Sequence, residues 1–151
     1  MEIMAYLDKA MQVEDHLAEC YKALAAWCDQ KIAAQLNRLS REEINHRNIL
    51  NMGKTFITNA PDLFGGVVMS EAELDRGLQD IDPLLNSLRA KQLNQRDALA
   101  QLIELERRLE KVHMRVSIDI KEPSLQDLFH KLSAGDQNHV AVLDNMINDL
   151  P

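Results

Sequence analysis

Four stretches of this chain carry apolar side chains at helical spacing, and they fall as two pairs on either side of a different kind of sequence. Residues 3–28 hold Ile3, Leu7, Met11, Leu17, Tyr21, Leu24 and Trp27, with no Gly or Pro among them. Asp29 offers a cap for the next stretch, residues 30–52, with Ile32, Leu36, Leu39, Ile44 and Leu50. Gly53 then reads as a helix stop. The second pair covers residues 95–120, capped by Asn94 with Asp97, and residues 124–150, opened by Ser124 after Glu122-Pro123. Gly135 sits inside the last stretch, where it costs about 1 kcal/mol relative to Ala. Either a close approach requires it or the helix tolerates it.

The intervening residues 53–92 differ. Asn59-Ala60-Pro61-Asp62 and Gly65-Gly66 have turn chemistry. Ser70-Glu71-Ala72-Glu73 reads as the start of a short helix, and Asp82-Pro83 as the cap of another. This segment is too long for a simple turn and suits a crossover running the length of a bundle. The expectation is one all-α domain over residues 1–151: a four-helix bundle of two antiparallel hairpins joined by a long crossover with short helices.

Composition narrows what such a bundle does. The formal net charge of −7 argues against nucleic-acid binding and against docking on anionic membranes. No apolar run is long enough to span a bilayer, and the N-terminus lacks a basic segment followed by an apolar one. Cys20 and Cys28, eight apart, form no CxxC pair and read as small buried hydrophobes. The expected location is a reducing cytoplasm.

The chemistry lies in a pattern that the two halves share. Glu14 is followed 29 positions later by Glu43-Ile44-Asn45-His46, and Glu106 is followed 30 positions later by Asp136-Gln137-Asn138-His139. On a helix, residues three apart share a face, so a carboxylate and an imidazole reach one inward point. Two such helices and two single carboxylates make six ligands of the types that suit iron, manganese or zinc. The candidate metal ligands are Glu14, Glu43, His46, Glu106, Asp136 and His139, with Glu43 and Asp136 expected to bridge. Tyr21 follows Glu14 by seven and His113 follows Glu106 by seven, so each lies two turns along the same face. Glu110-Lys111-Val112-His113 repeats the spacing and reads as a chance match.

These segments resemble the rubrerythrin branch of the ferritin-like superfamily. The resemblance is carried by Glu14-Asp15-His16-Leu17-Ala18-Glu19-Cys20-Tyr21, by Ser40-Arg41-Glu42-Glu43-Ile44-Asn45-His46, by Ile103-Glu104-Leu105-Glu106 and by Leu128 through His139. It implies a non-haem di-iron centre that reduces peroxide or dioxygen, or oxidises ferrous iron. Rubrerythrins typically add a rubredoxin domain with two cysteine pairs. Here the expected electron donor is a separate protein. They also tend to carry a further Glu where this chain has Ile103, which implies the plainer six-ligand site. Asp136 is one methylene shorter than the usual Glu. His113 stands where an aromatic residue usually mirrors Tyr21, and its alternatives are an extra ligand, a partner to a ligand carboxylate, or a partly buried polar residue. Tyr21 is a tentative catalytic residue beside the metal ligands. A homodimer is the expected assembly.

Overall fold

The computed structural model of the chain describes residues 3–63 and 70–151. The described residues form five α-helices: α1 (Ile3–Ala25), α2 (Gln30–Asn59), α3 (Ala72–Arg89), α4 (Gln95–Asp119) and α5 (Pro123–Asp149). A single 3₁₀ turn, Pro61–Leu63, follows α2. No helix among the described residues is long and apolar enough to cross a membrane.

The side-chain contacts fix the directions. Ser40 Oγ donates to the Ala18 carbonyl at 2.8 Å, Arg47 Nη1 to Asp15 at 2.9 Å, and Lys54 pairs with Asp8. Each step up α1 is a step down α2, so the two are antiparallel. The same order holds across α4 and α5, where Gln137 Nε2 donates to Glu110 Oε1 at 2.7 Å and His139 Nδ1 lies 3.1 Å from Glu106 Oε1. α2 and α5 meet in the middle, with His46 against Gly135 and Gly53 against Leu128. α3 runs back along α1. Lys9 pairs with Asp75, His16 with Asp82, and Arg89 with Glu19. The crossover is therefore one helix parallel to α1, and the bundle is a pair of hairpins as the sequence suggests.

Four boundaries differ from the sequence reading, three of them for a local reason. α2 does not stop at Gly53 but continues to Asn59. A carbon added at Gly53 would lie 3.1 Å from Leu128 Cδ1, so the missing side chain serves the approach of α5 instead. Pro61 is what ends the helix soon afterwards. The two short helices expected in the crossover are one helix with Pro83 inside it. Pro83 and Gln79, whose carbonyl loses its partner, both lie on the exposed face, where water takes the lost hydrogen bond. α5 is opened by Pro123 at its first position and capped by Glu122, whose carboxylate accepts from Leu125 N at 2.8 Å, rather than by Ser124. The caps at Asp29 and Asn94 stand as read, accepting from Ile32 N and Asp97 N. α1 ends at Ala25, three residues early. Gly65-Gly66 lies outside the described residues.

The core is a continuous apolar cluster built from all five helices, with Tyr6, Leu7, Leu17, Leu24, Leu36, Leu50, Leu88, Leu102, Phe129 and Leu143 fully enclosed. Cys20 belongs to it, and burial pushes its thiol up to about 12. Cys28 is half-buried and is raised for the same reason. A thiol-specific reagent at pH 8 is expected to label Cys28 slowly in the native protein and Cys20 only after denaturation. Counting labelled thiols by mass before and after adding denaturant checks this.

Candidate metal centre

Among the described residues ten buried ones are polar or charged, and seven of them meet in one place: Glu14, Glu43, His46, Glu106, His113, Asp136 and His139. Their positions follow from helix lengths. Glu14 lies at the middle of α1, Glu43 and His46 of α2, Glu106 of α4, and Asp136 of α5. Residues placed at the midpoints of four long helices meet at the bundle waist, farthest from solvent at either end. Glu14, Glu43, Glu106 and Asp136 have no exposed surface at all.

The cluster is not divided by hairpin. Glu43 Oε1 lies 2.7 Å from His139 Nδ1 and Glu43 Oε2 lies 3.3 Å from His46 Nδ1, so this carboxylate faces one imidazole from each hairpin. Asp136 likewise lies between His113 Nδ1, at 2.6 Å, and His46 Nδ1, at 3.8 Å. Two sets of ligand atoms, each within 4.8 Å of one another, are Glu43–His46–His139 and Glu106–Asp136–His139. His139 is common to both. Glu14 lies 3.8 Å from both His46 Nδ1 and His113 Nε2. The six expected ligands and His113 are all brought together.

The polar atoms of this cluster are under-partnered among the described residues. Both oxygens of Glu14 and of Glu43, Glu106 Oε2, Asp136 Oδ1 and His46 Nδ1 are buried with no hydrogen-bond partner. Buried polar atoms are nearly always partnered, and buried charges are paired or bind metal. Four carboxylates, if ionised, carry four negative charges, which two divalent ions balance. The donor set of oxygens and imidazole nitrogens is also the one such ions take. The residues therefore fit a pair of divalent cations.

Without a cation, protons do part of this work. Burial, with the nearby charges of Glu106 and Glu14, holds the Glu43 and Asp136 carboxyls well above the usual carboxylate range. Burial also pushes Glu14 up, but contact with Glu43 and His46 outweighs it and leaves this group lowered. His139 is lowered by burial and raised more by its hydrogen bond to Glu106, reaching about 9. His113 is lowered, because burial disfavours its cation more than Glu14 and Glu106 favour it.

The surrounding contacts hold the ligands in place. Tyr21, fully buried, donates its hydroxyl to Glu106 Oε1 at 2.5 Å, and burial keeps the phenol protonated. Its ring also meets His139 edge-on, 6.5 Å between centroids. His113 binds the short Asp136 side chain at Oδ2. The residue is thus enclosed within the site, although the Glu110-Lys111-Val112-His113 spacing carries no motif: Glu110 turns outward to Gln137.

Gly135 has its explanation here. A carbon added at this position would overlap His46 Nε2 and stand 2.7 Å from His46 Cε1. The imidazole turns its Nε2–Cε1 edge to the backbone of α5, and it stacks on His139 at 5.1 Å between centroids. The glycine beside the shortened Asp136 is the space that His46 occupies.

Sequence reasoning missed Glu42. Its Oε2 lies 2.9 Å from His139 Nε2, and its Oε1 accepts from Arg38 Nε at 3.2 Å. In the metal-free protein both ring nitrogens of His139 face carboxylates and donate to them; with a cation bound, the carboxylate at Nε2 would keep the proton there and free Nδ1 for the ion. No sequence signal marks it, since the pairing is made between helices. Glu42 also lines a cleft of about 210 Å³ between α2 and α5, with Asn138 and Asn145 on the opposite wall. Replacing Glu42 by Ala is expected to weaken metal binding by about 10–100-fold, the usual effect of losing such a partner. Glu42→Gln, which keeps an acceptor, is expected to fall between. Competition titration against a chromophoric chelator measures both.

Comparison of the chain with known protein families, with curated proteins and with solved structures finds no match to any of them.

Proposed function

We propose that this chain is a ferritin-like di-iron carboxylate protein that reduces peroxide or dioxygen, in the manner of rubrerythrins, with electrons from a separate donor protein. The observation that carries this reading is the set of buried, unpartnered carboxylate oxygens from four helix midpoints, together with an unpartnered imidazole nitrogen. The preference for iron over manganese or zinc comes from the resemblance of the ligand-bearing segments to rubrerythrins, because the ligand types accept all three.

Under this reading Glu14, Glu43, His46, Glu106, Asp136 and His139 hold the ions, and His113 either joins them or holds Asp136. Two bound ferrous ions supply the two electrons, one from each, that reduction of an O–O bond requires. Everything else is done by the chain. Glu42 orients His139, Tyr21 restrains Glu106, and His113 restrains Asp136. The enclosing apolar core excludes bulk water, which strengthens each of these interactions. The Tyr21 hydroxyl, held 2.5 Å from Glu106, is the nearest phenol to the cluster and the candidate for a transient electron.

The second reading is an iron-handling protein with ferroxidase activity. The cleft that Glu42 lines favours it, since a carboxylate on the wall of a polar opening, bonded to His139 of the cluster, suits a passing cation. A third reading keeps the fold as an interaction module with a decayed site. The complete burial of Asp136 and its bond to His113 weigh against decay. Anaerobic loading with ferrous iron, followed by peroxide with and without a reductant, separates the three. Repeated turnover with reductant supports the first. One round of oxidation with iron retained supports the second, and absence of any reaction the third. Sedimentation analysis tests the expected homodimer.

A further inference from the structure

A second site, independent of whether the bundle waist holds metal, lies on the outer seam between α3 and α4. Ion pairs brace this seam at two levels: Glu73 with Arg115, and Asp80 with Arg108 at 2.5 Å. Between these levels the pattern breaks. Arg76, one turn after Glu73, and Lys111, one turn before Arg115, line the same cavity, and neither has a hydrogen bond or ion pair among the described residues. Two cations stand where the ladder calls for an anion, in a chain whose net charge is −7.

The space beside them is open, with a charged rim that includes Glu73, Arg108 and Arg115 and an apolar floor. The cavity measures about 170 Å³, and its floor is Ile81, Leu109 and Val112, all buried core residues. A carbon added at Gly77, on its α3 wall, meets nothing within 4 Å. An engineered apolar cavity of about 150 Å³ takes up benzene, so this volume suits a body of six to eight carbons. Of the residues outside the description, 64–69 contain no acidic side chain, and Glu2, the one acidic residue among them, precedes α1 rather than α3 or α4 in the sequence.

We propose that this cavity binds a small organic carboxylate with a compact apolar body. Its carboxylate lies between Arg76 and Lys111, and its body covers Ile81, Leu109 and Val112. Guanidinium and ammonium together favour an anionic head, while the apolar floor rejects an inorganic ion of the same charge.

Benzoate is the probe, followed by backbone amide resonances of the isotope-labelled protein. Saturable shifts confined to the region of Gly77, Ile81, Leu109 and Val112 are expected, with a Kd on the order of 1 mM or tighter, the range for a ligand of about nine non-hydrogen atoms. Benzyl alcohol, of the same size without the charge, is expected to bind at least about tenfold more weakly, since the charged head is the specific contact. Arg76→Glu, at an exposed position, supplies the missing anion to Lys111. It is expected to leave the melting temperature unchanged or raised and to weaken benzoate by at least about tenfold. Gly77→Leu, which fills the space, is expected to abolish the shifts. Equal binding of benzyl alcohol, undiminished benzoate binding in R76E, or no shift in the wild type would overturn the proposal. So would a dimer that R76E dissociates, which would make the occupant a second copy of the chain.

Discussion

Divalent cation in free excess, filling two positions, is expected to raise the melting temperature of the metal-free protein by about 10–20 °C at pH 7. A ligand at a hundred times its Kd adds about 2.7 kcal/mol of stability. In a domain of this size one kcal/mol moves the midpoint by about 2–4 °C. The gain should grow with pH, and the sign follows from the shifts at the cluster. His139 is raised to about 9 in the folded chain, so its contribution is whole below the ordinary histidine value near 6.5 and is lost as pH climbs towards 9. Glu43 and Asp136 are raised as well, so their protonated forms stabilise the metal-free fold, and deprotonating them removes that contribution. His113, shifted down, acts in the opposite sense, but only below about 6.5. The metal-free protein should therefore lose stability steadily from pH 6.5 to 9. Cations take the place of the protons, so metal affinity rises over the same range. Scanning calorimetry of both forms at several pH values reads both slopes.

Gly135→Ala is expected to lower stability and to remove His46 from the metal centre. The usual effect of this substitution inside a helix is a gain of about 1 kcal/mol. Here the added carbon overlaps a buried imidazole ring. Overpacking of this kind costs about 1–3 kcal/mol, which exceeds the gain. If His46 swings away, Glu43–His46–His139 loses a member, and the stoichiometry should fall from two ions per chain towards one. Gly77→Ala provides the internal comparison. It lies within α3, and nothing stands within 4 Å of the added carbon, so it should stabilise the fold. Opposite signs at two helical glycines would locate the effect at His46 rather than in the backbone. Equal stabilisation by both would show that His46 relaxes without loss.

The residues of the buried cluster were legible in the sequence because helical periodicity fixes which side chains share a face, and the spacing repeats in both halves. Six residues from four helices converge as the periodicity implies. What periodicity does not carry is the distance between helices. Gly53 read as a stop, and Gly135 as either tolerated or required by a close approach; both are places where two helices touch. Glu42 was passed over for the same reason, because its partner lies on another helix 97 positions away. Pro83 read as a cap, since nothing local says that its lost hydrogen bond faces water. His113 read as open among three roles, and the contact with Asp136 narrows them to two. Within helices the sequence spoke clearly, and between helices only the packing did.

The central claim is that the bundle waist is a two-metal centre, and direct metal counting tests it most plainly. Anaerobic titration of the metal-free protein with ferrous iron, followed by desalting and elemental analysis, should give two ions per chain. Glu43→Ala, which removes the carboxylate facing both His46 and His139, should bring retention to one or none while the far-ultraviolet helical signal persists. Wild-type protein that retains no iron, manganese or zinc, or a Glu43→Ala variant that still retains two ions, would contradict the account.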